Sequence, residues 1–171
     1  MTEEFQVRRA VPGDADAVSR LARAVSAEPE GWLLTLGTWR SASEEKRAIK
    51  LLRRHPDAAL LVAEAPEGIV GRLSVTRDQH PSSSHVADIG LMVAREYRRR
   101  GVGRALLEAA VEWSKRNGIS KLELHVFPYN EAAIRLYEAF GFEREGYRRR
   151  HYRRGHEYVD AILMAYFIEA G

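Results

Sequence analysis

Apolar residues recur along this chain with two different periods, and the changes between them mark out its elements. Residues 5–10 read as a first strand. Pro12-Gly13-Asp14 then opens a helix with Asp14 as its N-cap, and Val18, Leu21, Ala22 and Val25 give it an apolar stripe at helical spacing. Residues 29–39 follow neither period: Trp32, Leu33, Leu34, Leu36 and Trp39 are mixed there with two glycines. A second helix starts at Ser43, read as N-cap with Lys46 at the third helical position, and runs to about Arg54, before His55-Pro56.

Residues 58–65 are an apolar strand, Pro66-Glu67-Gly68 a turn, and residues 69–76 the second arm of a hairpin. A polar, serine-rich loop over 77–85 leads to a strand at 86–93. A helix over 101–117 carries Val102, Ala105, Leu106, Ala109, Ala110 and Trp113 on one stripe and is ended by Gly118. In the strand at 121–127, Leu122, Leu124 and Val126 face one way, and Glu123, His125 and Phe127 face the other. A short helix follows at 130–140, stopped by Gly141. Residues 147–151 and 158–165 are two strands around the turn Arg153-Arg154-Gly155. The order β-α-α-β-β-β-α-β-α-β-β predicts a single α/β domain over 1–171. Its mixed, twisted sheet has helices on both faces, with parallel pairing where strands alternate with helices.

Composition narrows the chemistry. The chain has 171 residues, enough for one real core, with 45% apolar and 30% charged residues. It has no cysteine, so a disulfide framework, a thiolate metal site and a covalent cysteine intermediate are excluded. Glu3, Glu4, Arg8 and Arg9 give the first ten residues the wrong character for a signal peptide or anchor. No apolar run reaches membrane-spanning length, so no membrane partner is expected and cytoplasmic residence is the default. His85, His151 and His156 lack the i, i+4 helical spacing of a zinc site, and no metal is expected.

The net charge is +3 and the pI near 9.3, but the excess is uneven. Arg95, Arg98, Arg99, Arg100 and Arg104 form one cluster; Arg144, Arg148, Arg149, Arg150, Arg153 and Arg154 form another. Such patches suit phosphate-bearing partners. The aromatic-rich sheet signature of an RNA module is missing, and nucleic acid is not the expected partner.

The first cluster sits where a strand gives way to a helix, in Leu91-Met92-Val93-Ala94-Arg95-Glu96-Tyr97-Arg98-Arg99-Arg100-Gly101-Val102-Gly103-Arg104. Unpaired N–H groups at a helix start make an anion site, glycines let the backbone approach the anion, and arginines add charge-assisted contacts. A pyrophosphate is the natural occupant. The dinucleotide fingerprint is absent, because Leu106 stands where it needs a small residue. A P-loop is absent too, because no Gly-Lys-Ser/Thr follows.

Arg98-Arg99-Arg100-Gly101-Val102-Gly103 resembles the Arg/Gln-x-x-Gly-x-Gly/Ala loop of the GNAT acetyltransferases. Asn130 to Phe142, with Ala133, Tyr137 and Gly141-Phe142, resembles that family's second signature, Asn-x-x-Ala-x-x-x-Tyr-x-x-x-Gly-Phe. The resemblance implies acetyl-coenzyme A as cosubstrate and an amine as acceptor. It implies that the backbones of Leu91, Met92 and Val93 bind the pantetheine arm at a splay between two strands. Arg98, Arg99, Arg100, Gly101, Val102, Gly103 and Arg104 would cradle the pyrophosphate. Asn130 would touch the cofactor as well as cap its helix, and Tyr137 would protonate the departing thiolate. A homodimer is compatible with it, since dimers are common for this fold.

Attack requires a neutral amine, hence a base. His125 is the first candidate, on a strand position where some relatives carry glutamate; Asp88 and a water chain are the alternatives. The acceptor could be a small amine, a protein N-terminus or a lysine, and a non-catalytic acyl-coenzyme A-binding regulator is a further class. The run Arg148-Arg149-Arg150-His151-Tyr152-Arg153-Arg154 favours a small molecule with an acidic group, a free amino acid first. Arginine would hold its carboxylate, and Tyr152, Tyr158 and Trp32 would wall the site.

Overall fold

The computed structural model describes residues 4–33 and 39–169; Leu34 and Leu36 of the aperiodic segment lie outside them. Among the described residues, β1 (Gln6–Arg9), α1 (Ala15–Ser26), α2 (Ala42–Arg54), β2 (Ala58–Ala65), β3 (Gly68–Arg77) and β4 (Val86–Val93) come first. Then follow α3 (Val102–Arg116), β5 (Lys121–Val126), α4 (Glu131–Phe140), β6 (Glu143–Arg154) and β7 (Glu157–Phe167). The seven strands form one sheet in the order β1-β2-β3-β4-β5-β7-β6. Among the described residues only β4 and β5 run parallel, and α3 makes the crossover between them that parallel strands require. The expected α/β architecture, a mixed sheet with helices on both faces, is what the chain adopts.

The two faces are filled differently. Leu61, Leu73, Val75, Ala87, Ile89, Leu122, Leu124 and Val126 pack under α3 and α4 with Leu106, Leu107, Ala110, Ile134 and Tyr137. On the opposite face, α1 and α2 cover the first half of the sheet through Val18, Ile49, Leu60 and Val62, and through Leu21, Ala22, Val25 and Met92. β2 lies between these layers, which is why it reads as a continuous apolar run.

β4 and β5 pair over only three positions, Val86↔Lys121, Ala87↔Leu122 and Asp88↔Glu123. Beyond Asp88, β4 stays with β3 as far as Val93↔Gly71, while β5 stays with β7 as far as Val126↔Ile162. The strands therefore part, and one edge of each is left without a sheet partner.

Three local expectations are corrected. The N-cap of α2 is Ser41, not Ser43: its Oγ accepts from the Glu44 N–H at 3.3 Å, and the Glu44 carboxylate accepts from the Ser41 N–H at 2.7 Å. A carboxylate can return that bond and Lys46 cannot. Asp14 makes no side-chain cap for α1. Its carboxylate takes both terminal nitrogens of Arg8 at 2.8 Å and the Val11 N–H at 2.8 Å, closing the turn ahead of the helix. The last two strands are much longer than expected. β6 is an edge strand exposed along most of its length, so it carries no hydrophobic alternation to read; its backbone pairing with β7 defines it.

Ser41→Ala is expected to cost about 1 kcal/mol in denaturant unfolding, the usual loss of a cap. Ser43→Ala should stay within about 0.5 kcal/mol, as for an ordinary surface change. The reverse order would return the cap to Ser43.

Candidate functional site

The wedge between the parted strands opens into a cavity of about 870 Å³, within the range of small-molecule sites. Ile89, Gly90, Leu91, Met92 and Val93 of β4 form one wall; His125 and Val126 of β5 and the following Phe127 form the other. A free strand edge on the β4 side offers peptide groups to a ligand as a further strand would. Leu91, Met92 and Val93 thus lie where an amide-bearing chain can be held by backbone alone.

One end of the cavity is the mouth of α3. The first intrahelical bond there runs from the Ala105 N–H to the Gly101 carbonyl, so the N–H groups ahead of it have no helical acceptor. No side chain caps this end and its first turn has no acid. Positive dipole, free donors and nearby arginines meet here. Gly101 holds the left-handed conformation at φ 85° and Arg99 holds it at φ 61°, so the loop turns sharply on both sides of Arg100.

The predicted loop residues have different surroundings. Arg99, Gly101, Gly103 and Arg104 line the cavity. Arg98 lines it too, but its guanidinium is committed to Glu28, at 2.8 and 2.6 Å, and its Nε to the Val93 carbonyl at 3.1 Å. Arg100 turns away to Glu4 and stacks over Tyr97. Val102 is buried in the core beneath α3, so only its backbone is available to the site. The open loop, the free N–H groups and the cation-rich mouth together fit a pyrophosphate, and the wedge beside them fits the arm attached to it.

Asn130 caps α4, its Oδ1 accepting from the Ala133 N–H at 3.3 Å, and it also lines the cavity. About two turns along that helix, Tyr137 reaches the cavity from the core side. Tyr137 is 7% exposed and packs against Phe142. Burial pushes its phenol well above the usual tyrosine range, so it remains protonated at neutral pH.

His125 stands on the opposite wall. Its Nδ1 lies 2.5 Å from the Tyr152 hydroxyl, and its ring meets His151 edge-on at 5.5 Å. Desolvation, Arg148 and His151 hold its pKa below the usual histidine value, so the imidazole is neutral at pH 7. Asp88 lies one register pair back, opposite Glu123. Its side chain is exposed, but desolvation by its neighbours and the charge of Glu123 push it up to about 6. It does not line the cavity.

Aromatic rings close the side away from the helix mouth. Trp32 stacks on Tyr129 at 6.0 Å, Tyr129 on Phe127 at 5.4 Å, and Tyr152 meets Phe127 edge-on at 6.1 Å. Of the arginine-rich hairpin only Tyr152 reaches the cavity wall; Tyr158 is exposed outside it, and the expected carboxylate-holding arginines do not line it. Arg154 instead donates to the Gly31 carbonyl at 3.1 Å and the Tyr129 hydroxyl at 2.8 Å, pinning the hairpin to the segment after α1. A residue that sequence reading passed over does face the cavity: Arg72, on β3, beside Trp39. The available signal was a lone arginine inside the apolar stretch from Ile69 to Val75.

Known proteins resemble this chain in sequence and in fold. The profile of the "Acetyltransferase (GNAT) family" matches residues 25–142. The L-amino acid N-acetyltransferase AaaT of Escherichia coli K12 is 34% identical over 166 residues, covering 95% of this chain and 97% of its own. Among solved structures, a GNAT-family acetyltransferase from Streptococcus pneumoniae superposes with a TM-score of 0.87 at 28% identity, covering 97% of this chain and all of its own. YncA of Salmonella typhimurium, a putative acetyltransferase solved with its cofactor acetyl-CoA, superposes at 0.86 with 16% identity, over 99% of this chain and 96% of its own.

Gly101→Val places a β-branched residue at φ 85°, although nothing lies within 4 Å of the added Cβ. The variant is expected to fold with a lowered melting temperature and to lose most of the upward shift that saturating acetyl-coenzyme A gives the wild type. A full ligand-induced shift in the variant would remove the loop from the binding site.

Proposed function

The chain belongs to the GNAT family of acetyltransferases, and on that premise we propose that it acetylates the amine of a free amino acid by direct attack within a ternary complex. Acetyl-coenzyme A supplies the thioester that carries the acyl group. The observation that carries the choice of acceptor is the likeness to the L-amino acid N-acetyltransferase, which extends over nearly the whole of both chains. The closed aromatic end of the cavity supports it, since Trp32, Phe127 and Tyr152 bound a space suited to a small molecule.

In this reading His125 takes the proton from the amine. Its environment keeps it neutral at pH 7, as a base must be, and the Tyr152 hydroxyl at Nδ1 fixes the ring. Backbone N–H groups of β4 hold the carbonyl oxygen as negative charge grows on it. Tyr137 faces the departing sulfur with a hydroxyl that burial keeps protonated, and it donates there. Arg99, Arg104 and the mouth of α3 hold the pyrophosphate. No side chain needs to form a covalent bond, consistent with a chain lacking cysteine.

The reading is tested by a panel of amino acids, polyamines, aminoglycosides and short peptides, with thiol release as the signal. Turnover of amino acids above the other classes is the expected result. Turnover confined to polyamines or aminoglycosides, or a preference for peptide N-termini over every free amino acid, would exclude it.

The role of His125 makes a pH prediction. Protonation removes the base, so kcat/KM should fall as pH drops through a pKa below 6.5, the ordinary histidine value. His125→Ala should abolish or displace this limb, and Asp88→Asn should leave it in place. If Asp88→Asn alone removes a limb near 6, the carboxylate is the base instead.

A further inference from the structure

Arg72 is a charged residue in the interior of the sheet. It pairs across to Val62 on β2 and Met92 on β4, both of which pack under α1 and α2. Its relative exposure is 7%, yet it lines the cavity. Its guanidinium lies over the Trp39 ring at 5.3 Å, and its buried Nε has no hydrogen-bond partner among the described residues.

The charges around it do not balance. Glu45 is the nearby acid, 1% exposed, and its carboxylate already accepts from Trp39 Nε1 at 2.9 Å and pairs with Arg40 Nε at 3.4 Å. Arg40 also lies over the Trp39 ring, at 5.3 Å. Glu45 is thus committed to Trp39 and Arg40, and Arg72, at the wall of the cavity, has no carboxylate within ion-pair distance among the described residues. Burial and Arg40 push its pKa down and Glu45 pushes it up, with a result of about 10, so it is still charged at pH 7. Leaving a cation desolvated and without an ion-pair partner is unfavourable. An anion entering the cavity would relieve that cost.

We propose that Arg72 is the specificity-determining residue for the acceptor: its guanidinium binds the carboxylate of the amino acid, beside Trp39 on the α1–α2 side of the cavity. The proposal rests on the amino-acid reading given above. It replaces the arginines of the β6–β7 hairpin, which lie outside the cavity, with one that sequence periodicity alone marks as part of the core. A guanidinium offers a planar fork to a carboxylate, and the low-dielectric wall strengthens the pair. Acceptors that lack the carboxylate leave the cation as it was and gain nothing from it.

The test compares an accepted amino acid with its own amide, in the wild type and in Arg72→Met and Arg72→Lys. The wild type should prefer the acid. Arg72→Met should lose roughly thirty- to a thousandfold in kcat/KM for the acid, mostly through KM, so that the preference over the amide collapses. Arg72→Lys should recover part of it, since it keeps the charge without the fork. Melting temperature is the second readout. Replacing a poorly paired buried charge by an apolar chain of similar volume is neutral or stabilising, so Arg72→Met should melt at or above the wild-type temperature. An unchanged acid-over-amide ratio, equal losses on both acceptors, or variants that fail to fold would each make Arg72 a structural residue and overturn the proposal. A wild type that acetylates no amino acid would be seen before any variant is made, and would instead remove the reading on which the proposal stands.

Discussion

The site exists because β4 and β5 stop pairing after Asp88 and Glu123. Each strand is held by its outer neighbour, β3 in one case and β7 in the other, and the two pull apart into a wedge. Elsewhere in the sheet an unpaired strand edge would be a defect, with buried peptide groups lacking partners. Here the edge faces a cavity, and a ligand can complete it. The same parting brings the mouth of α3, the tip of α4 and the open face of β5 around one space.

That space is kept in shape by ties between segments far apart in sequence. Glu28 at the end of α1 grips Arg98 in the loop before α3, and Trp32 donates to the same carboxylate at 2.8 Å. Gly31 accepts from Tyr129 at 2.6 Å and from Arg154. The α1–α2 segment, the β5–α4 connection and the tip of β6 are thereby joined at one corner. Bidentate, part-buried pairs of this kind fix geometry more than they add stability, because much of their Coulombic gain is spent on desolvation.

The arginines illustrate how poorly charge density alone locates a site. Of the two basic clusters, many members have a protein partner: Arg98 with Glu28, Arg100 with Glu4, Arg104 with Glu108 and Arg144 with Glu138. Arg154 holds backbone and a tyrosine, and Arg150 lies over Tyr158. Arg72 belongs to neither cluster. Its significance comes from burial and from the shortage of carboxylate around it, and neither is a property of local sequence.

The sequence by itself determined the order of elements and the two-sided layering, and it marked the loop and helix residues that line one half of the cavity. These depend on local regularities: the stripe from Val18 to Val25, the alternation in β5, and two signatures with fixed spacing around Gly101 and Tyr137. Loop, glycine and helix start are adjacent in the chain, so their joint chemistry is legible there. Only the tertiary structure decided the other half of the cavity. The exposed strand β6 has no apolar alternation, and its extent follows from pairing with β7 alone. The closure of the aromatic wall depends on Trp32, Phe127, Tyr129 and Tyr152, which come from separate parts of the chain. Arg72 is left without a carboxylate of its own because Glu45, on α2, is taken by Trp39 and Arg40, and no period or spacing in the sequence records that.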